Sequence, residues 1–152
     1  MTIKFTVPGR PVPMARPRVT SRGTYTPKRC RDYKRLVGAI ARKEMNGIQP
    51  LNGALSCHIS LGFAVPQSYP KQLKADAYAN RIRPINRNSG DVDNHAKAIM
   101  DALTGIVWGD DSQVVNLTVS KWFGDDCVEV TVSECEVVTD ETGHKTSDKG
   151  AD

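Results

Sequence analysis

Between Gly90 and Val115 the chain reads GDVDNHAKAIMDALTGIVWGDDSQVV. Val92, Ala96, Ile99 and Leu103 recur at spacings of four, three and four, which predicts a helix from Val92 to Leu103 with one buried stripe, closing at Gly105. Asp93, Asn94, Lys97 and Asp101 fall on the opposite side, and Asp91 immediately precedes the helix. After the short apolar link Ile106–Trp108, a turn at Gly109-Asp110-Asp111 adds two more acids. Acidic groups therefore stand at both ends of a rigid rod. Carboxylates held together repel one another unless a cation lies among them. Their convergence requires the strand after the turn to start beside the helix N-terminus.

Three carboxylates, from Asp91, Asp93 and the Asp110-Asp111 pair, together with water and a phosphate oxygen, complete an octahedral Mg²⁺ shell. An ion so held acidifies water and stabilises charge developing on phosphate, the chemistry of phosphodiester cleavage. Lys97, one turn beyond Asp93, suits orientation of the attacking water or neutralisation of the phosphate. The plainer alternatives are helix capping by a lone aspartate and an i,i+4 pair between Lys97 and Asp93 or Asp101, worth only a few tenths of a kcal/mol. Other chemistries lack their residues. An EF-hand counted from Asp91 would need glycine where Ala96 stands. There is no Walker loop and no G-x-S-x-G elbow, and none of the four cysteines forms the C-x-x-C pair of a zinc site. Cys57 and Cys127 lie in alternating apolar stretches and read as core thiols. His95 leans toward the buried side of the helix and reads as structural.

The net charge of +4 conceals an asymmetry. Residues 1–90 hold 17 Lys/Arg against 3 Asp/Glu, whereas residues 91–137 hold 2 against 10. A basic first half beside an acidic second half suits a polyanion held by one part and metals by the other. The loop Pro11–Thr26 carries Arg16, Arg18 and Arg22 with Tyr25, a composition that fits phosphate contacts and base stacking. Thr26-Pro27 reads as an N-cap and first turn, and the helix it opens runs to about Met45, stopping near Asn46-Gly47. Tyr33, Leu36, Val37 and Ile40 form its apolar stripe, and Lys28, Arg31, Arg35 and Arg42 its basic face. Further on, Arg83 and Arg87 belong to a long basic loop between Gln67 and Ser89, in which a short helix fits Lys71–Ala79.

Strands are expected at Thr2–Val7, at Ala54–Val65, at Gln113–Phe123 (Val115, Leu117 and Val119 alternating) and at Cys127–Cys135 (Val128, Val130 and Val132). Phe123-Gly124-Asp125-Asp126 is the turn of a C-terminal β-hairpin that pairs the last two strands. The order β-α-β-α-β-β predicts a single α+β domain over residues 1–137, a mixed sheet packed with two main helices. Residues 138–152 lack apolar periodicity and are expected to be disordered. No apolar run reaches the roughly 20 residues of a membrane helix, and the N-terminus lacks a signal-peptide core, so the expected location is the cytoplasm.

The run D-V-D-N-x-x-K-x-x-x-D-A-L, followed by G-D-D-S-Q-V-V, resembles the signature of the RusA family of Holliday-junction resolvases. The start PxPxARPRVT followed by YTPK is similar to family members as well. The resemblance implies a homodimeric, Mg²⁺-dependent endonuclease, with Mn²⁺ as a substitute, that cuts four-way DNA junctions by paired nicks in recombination and repair. It implies that Asp91, Asp93 and Asp111 are catalytic metal ligands and that Lys97 is the essential lysine. Asn94, Asp101 and Asp110 would support them, and Asp110 ranks below Asp111. Arg16, Arg18, Arg22, Lys28, Arg31, Arg35, Arg83 and Arg87 are the expected DNA contacts. The chain departs from some relatives in that the basic run before Asp91 is broken into Arg81, Arg83 and Arg87. The rival from another class is a junction-binding protein without catalysis. Binding alone gives no reason to place acids against a polyanion.

Overall fold

Alternation sets the sheet. In the computed structural model, which describes residues 1–16 and 18–135, strand β1 (Thr2–Pro8) buries Ile3, Phe5 and Val7. Strand β4 (Leu55–Phe63) buries Leu55, Cys57, Ile59, Leu61 and Phe63, and β6 (Cys127–Glu134) buries Val128, Val130 and Val132. These side chains form one apolar face, against which the helices lie. Each large one that is fully buried contributes roughly 1.5–3 kcal/mol. The other face carries Lys4, His58, Ser60, Glu129 and Thr131 around a shallow polar hollow.

The sheet order is β1-β6-β4-β5, with β5 spanning Val114–Phe123. β4 and β5 run parallel, while β6 is antiparallel to both β1 and β4. A parallel pair needs a long crossover. Here it contains helix α2 (Lys71–Tyr78), a 3₁₀ turn at Arg87–Ser89 and helix α3 (Val92–Leu103). Helix α1 (Lys28–Met45) packs on β1 and α3, and α3 also packs on β5. The expected α+β class, mixed sheet and element order are therefore present.

The last two strands differ from the expected pairing. β5 and β6 run in opposite directions around the turn Gly124–Asp126, but β4 lies between them. The turn steps across the end of β4: Gly124 N donates to Phe63 O at 2.9 Å, and Ala64 N donates to the Asp126 carboxylate at 2.8 Å. Gly62 makes the step fit, since a Cβ there would collide with the carbonyl of Asp125. Local alternation reports that two strands are adjacent in sequence. It does not report a third strand inserted between them.

Other expectations shift in smaller ways. The loop from Pro11 to Thr26 contains a short antiparallel hairpin, β2 (Arg18–Thr20) with β3 (Gly23–Tyr25). Thr26 does not cap α1; Pro27 occupies the cap position and no side chain bonds there. The helix ends as predicted, on Asn46 in the left-handed conformation. Its buried stripe is Cys30, Tyr33, Val37, Ala41 and Met45, whereas Leu36 is exposed and Ile40 half-buried. Cys57 is buried as expected, but Cys127 is only half-buried. Val92, Val115 and Leu117 face solvent rather than the core. The expected disordered tail, 138–152, lies outside the described residues.

Candidate active site on helix α3

The helix that carries the acids is held at its N-terminus by the proline-rich loop. Met14 N donates to Asn94 O at 3.0 Å, and Arg10 Nη2 donates to Asn88 O at 3.2 Å. Gly90 turns the chain into α3 with φ +74°, and a Cβ at that position would sit 2.9 Å from His95 Nε2 and 3.0 Å from Pro13 Cγ. Only glycine fits both the conformation and the space. His95 is 1% exposed, and its Nε2 lies 2.6 Å from Ser89 O. Burial lowers its pKa, against the opposing effect of that hydrogen bond, so the neutral ring donates to the carbonyl. His95 is therefore a structural strut, as its angular position predicted. Lys121, which strand alternation places in phase with the inward-facing residues, donates to Ser89 Oγ and to Gly90 O, both at 2.9 Å. Sequence reading missed Lys121 and Arg10. A lysine at an inward strand position was the available signal for the first; nothing local marked the second.

Asp91 occupies the N-cap position of α3, yet its carboxylate makes no cap bond. The plain capping reading thus fails there. Asp93 accepts from the backbone N–H of its neighbour Asn94 at 3.0 Å and is exposed. Lys97 and Asp101 follow on the same exposed side, and among the described residues neither is in an ion pair. At the far cluster the two acids divide. Asp110 caps the 3₁₀ turn Asp111–Gln113 by accepting from Ser112 N at 2.9 Å, while Gln113 Oε1 accepts from Asp110 N at 3.1 Å. That backbone hydrogen bond from Ser112 is the main reason the Asp110 carboxyl titrates below the usual range. Asp111 is exposed and accepts no hydrogen bond from backbone, lysine or arginine among the described residues.

The two clusters do not meet within one chain. Asp91 stands at one end of a 12-residue helix, which spans about 18 Å. The turn that bears Asp111 lies beyond the other end, fastened to Leu51 and Gly53 through Gln113 Nε2. β5 gives a second ruler: it starts just after that turn and reaches Gly90 only at Lys121, about 23 Å further along. The strand begins beside the C-terminus of α3, not beside its N-terminus as convergence required. Consistent with this, no three His, Cys, Asp or Glu side chains among the described residues group to hold a metal.

The basic residues do gather. Arg16, Lys34, Lys97, Asn94 and Asp101 line a cleft of about 260 Å³ beside the arginine loop, with Met14, Ala15 and Thr26. A second hollow of about 320 Å³ shares Lys34 and Asp101 and adds Arg31, Arg35 and Arg42. Together they make a channel along the α1–α3 groove with Lys97 at one end. Lys28 pairs with Asp32 at 2.7 Å on the exposed side of α1, and Arg35 stands 4.0 Å from the same carboxylate. Arg22 and Arg87 are exposed outside the channel, and Arg18 lies in β2. Arg83 is occupied locally, its guanidinium 3.2 Å from the Trp122 ring centroid and its Nη1 donating to Lys121 O at 3.0 Å.

A family model described as Endodeoxyribonuclease RusA matches residues 8–133, which take in every helix, β4, β5 and all but the last residue of β6. The chain belongs to the RusA endodeoxyribonuclease family. Membership makes it a DNA endonuclease of the Holliday-junction resolvase class. The chain is also 34% identical over 139 residues to a protein of Bacillus subtilis (strain 168) described as uncharacterized protein YqaN, covering 87% of this chain and 96% of that one. Among the described residues no helix is long and apolar enough to cross a membrane.

Proposed function

We propose that this RusA-family chain acts in the cytoplasm as a homodimeric, Mg²⁺-dependent endonuclease. It resolves four-way DNA junctions by paired nicks during recombination and repair. The observation that carries the reading is that Asp91 sits at a cap position without capping, and that Asp110 rather than Asp111 caps the turn Asp111–Gln113. Hard, exposed oxygen donors of this kind fit Mg²⁺, with Mn²⁺ as a substitute. One chain supplies them at opposite ends of α3, so each site takes Asp91 and Asp93 from one subunit and Asp111 from the other. A bound Mg²⁺ supplies an acidified water and Lewis-acid stabilisation of phosphate charge.

The protein's own groups do the rest. Lys97, in no ion pair among the described residues and at the end of the basic channel, neutralises the scissile phosphate and orients the attacking water. Asn94 holds the entry loop through Met14, and Asp101 lies between the two hollows. Arg16, Arg31 and Arg35 track the DNA backbone. A four-way junction has approximate two-fold symmetry, which a C2 dimer with two equivalent sites matches.

The test is nicking of a synthetic four-way junction. Cleavage with Mg²⁺, its loss with EDTA and its return on adding Mn²⁺ are expected. Junction binding without any cleavage under all three conditions would replace this reading by that of a binding protein.

A further inference from the structure

Stability gives no reason for Asp101 to be where it is. It lies exposed in the last turn of α3, where the helix dipole disfavours an anion. Lys97 stands four residues before it, the weaker order for an i,i+4 pair, and among the described residues Asp101 is in no ion pair. Its surroundings are nonetheless strongly cationic. Asp101 is the one acid, among the described residues, that lines the two hollows of the α1–α3 groove. It shares one with Arg16, Lys34 and Lys97 and the other with Arg31, Lys34, Arg35 and Arg42. A groove that only held a polyanion would gain nothing from a carboxylate at its middle. Discrimination is different, because repelling the wrong partner contributes as much as attracting the right one.

We infer that Asp101 is a specificity-determining residue, a charge that turns continuous duplex DNA away from the groove and admits the centre of a junction. The inference rests on the junction-nuclease reading above. Duplex DNA carries one negative charge per about 1.7 Å of its axis. A duplex laid along the groove therefore brings phosphates against Asp101 wherever it sits. At the centre of a four-way junction the strands part into separate arms. Their backbones pass to either side of Asp101 and onto the cations of the two hollows. Asp101 is one helical turn, about 6 Å, beyond Lys97, which is assigned above to the scissile phosphate. The repulsion thus acts beside the point of cutting. Between partly exposed charges at that range it is worth a factor on the order of ten in affinity.

The experiment compares binding of the full chain to a four-way junction and to a linear duplex of matched sequence, at low salt and in EDTA so that nothing is cut. Asp101→Asn should bind duplex on the order of tenfold more tightly and change junction affinity by less than about twofold, so that selectivity falls. Asp101→Glu, which keeps the charge, should keep most of the selectivity. Glu129→Gln removes the same charge from the opposite face of the sheet and should shift neither affinity. Circular dichroism checks the fold, and Asp101→Ala replaces Asp101→Asn if the latter does not fold. Equal tightening on both DNAs, or none on duplex, would overturn the inference, as would a wild type that binds the two equally. A wild type that prefers junctions but never cuts them with Mg²⁺, while Asp101→Asn loses the preference, would keep Asp101 as the discriminating charge and sink the nuclease reading instead.

Discussion

The ammonium of Lys121 donates to the carbonyl of Gly90 at 2.9 Å, tying the end of β5 to the residue that precedes Asp91. The same ammonium holds Ser89 Oγ. Lys121 is half-buried, so its replacement by an apolar side chain leaves both oxygens without their donor. Lys121→Met should lower stability by about 1–3 kcal/mol and loosen the start of α3. Urea denaturation should show the loss, and amide exchange at Asp91–His95 should accelerate. Unchanged exchange there would make Lys121 a bystander to the acids.

Gly90 should tolerate no side chain. Gly90→Ala combines a left-handed φ with contacts to His95 and Pro13, and a cost of about 2–4 kcal/mol is expected. Gly53 has nearly the same φ, +76°, but a Cβ there would meet nothing within 4 Å. Gly53→Ala should therefore cost only about 1 kcal/mol. Equal melting-temperature losses for the two variants would show that the packing around Gly90 contributes nothing.

The basic channel should be read out by salt. Arg16→Ala combined with Arg31→Ala removes two phosphate contacts and should make the slope of log K against log salt shallower by about 1.8. Arg83→Ala should leave the slope unchanged, since its guanidinium is engaged with Trp122 and Lys121. A double variant with the wild-type slope would mean that DNA takes another route.

How much of this was legible in the chain depended on range. The limits of α3, Val92 and Leu103, follow from a local 3.6-residue rhythm, and the structure keeps them. The burial of Ile59 and Val130 follows from alternation within one strand. What failed was non-local. Nothing within β5 or β6 announces that β4 separates them, and only Gly62, a small residue in an apolar strand, hinted at a crossing. The expected meeting of Asp91 with Asp111 failed because a straight helix keeps its two ends apart. Val115 and Leu117 read as core because periodicity gives a residue's phase and not what covers it.

The most direct measurement is complementation between two inactive variants. Asp93→Asn and Asp111→Asn are each expected to bind junction DNA without cutting it. Mixed and allowed to exchange subunits, they form heterodimers in which one site receives both substitutions and the other receives none. Nicking of one strand by the mixture, with none by either variant alone, is the result predicted for sites shared between two subunits. A mixture as inactive as its components, despite heterodimers demonstrated by differently tagged chains, would contradict it.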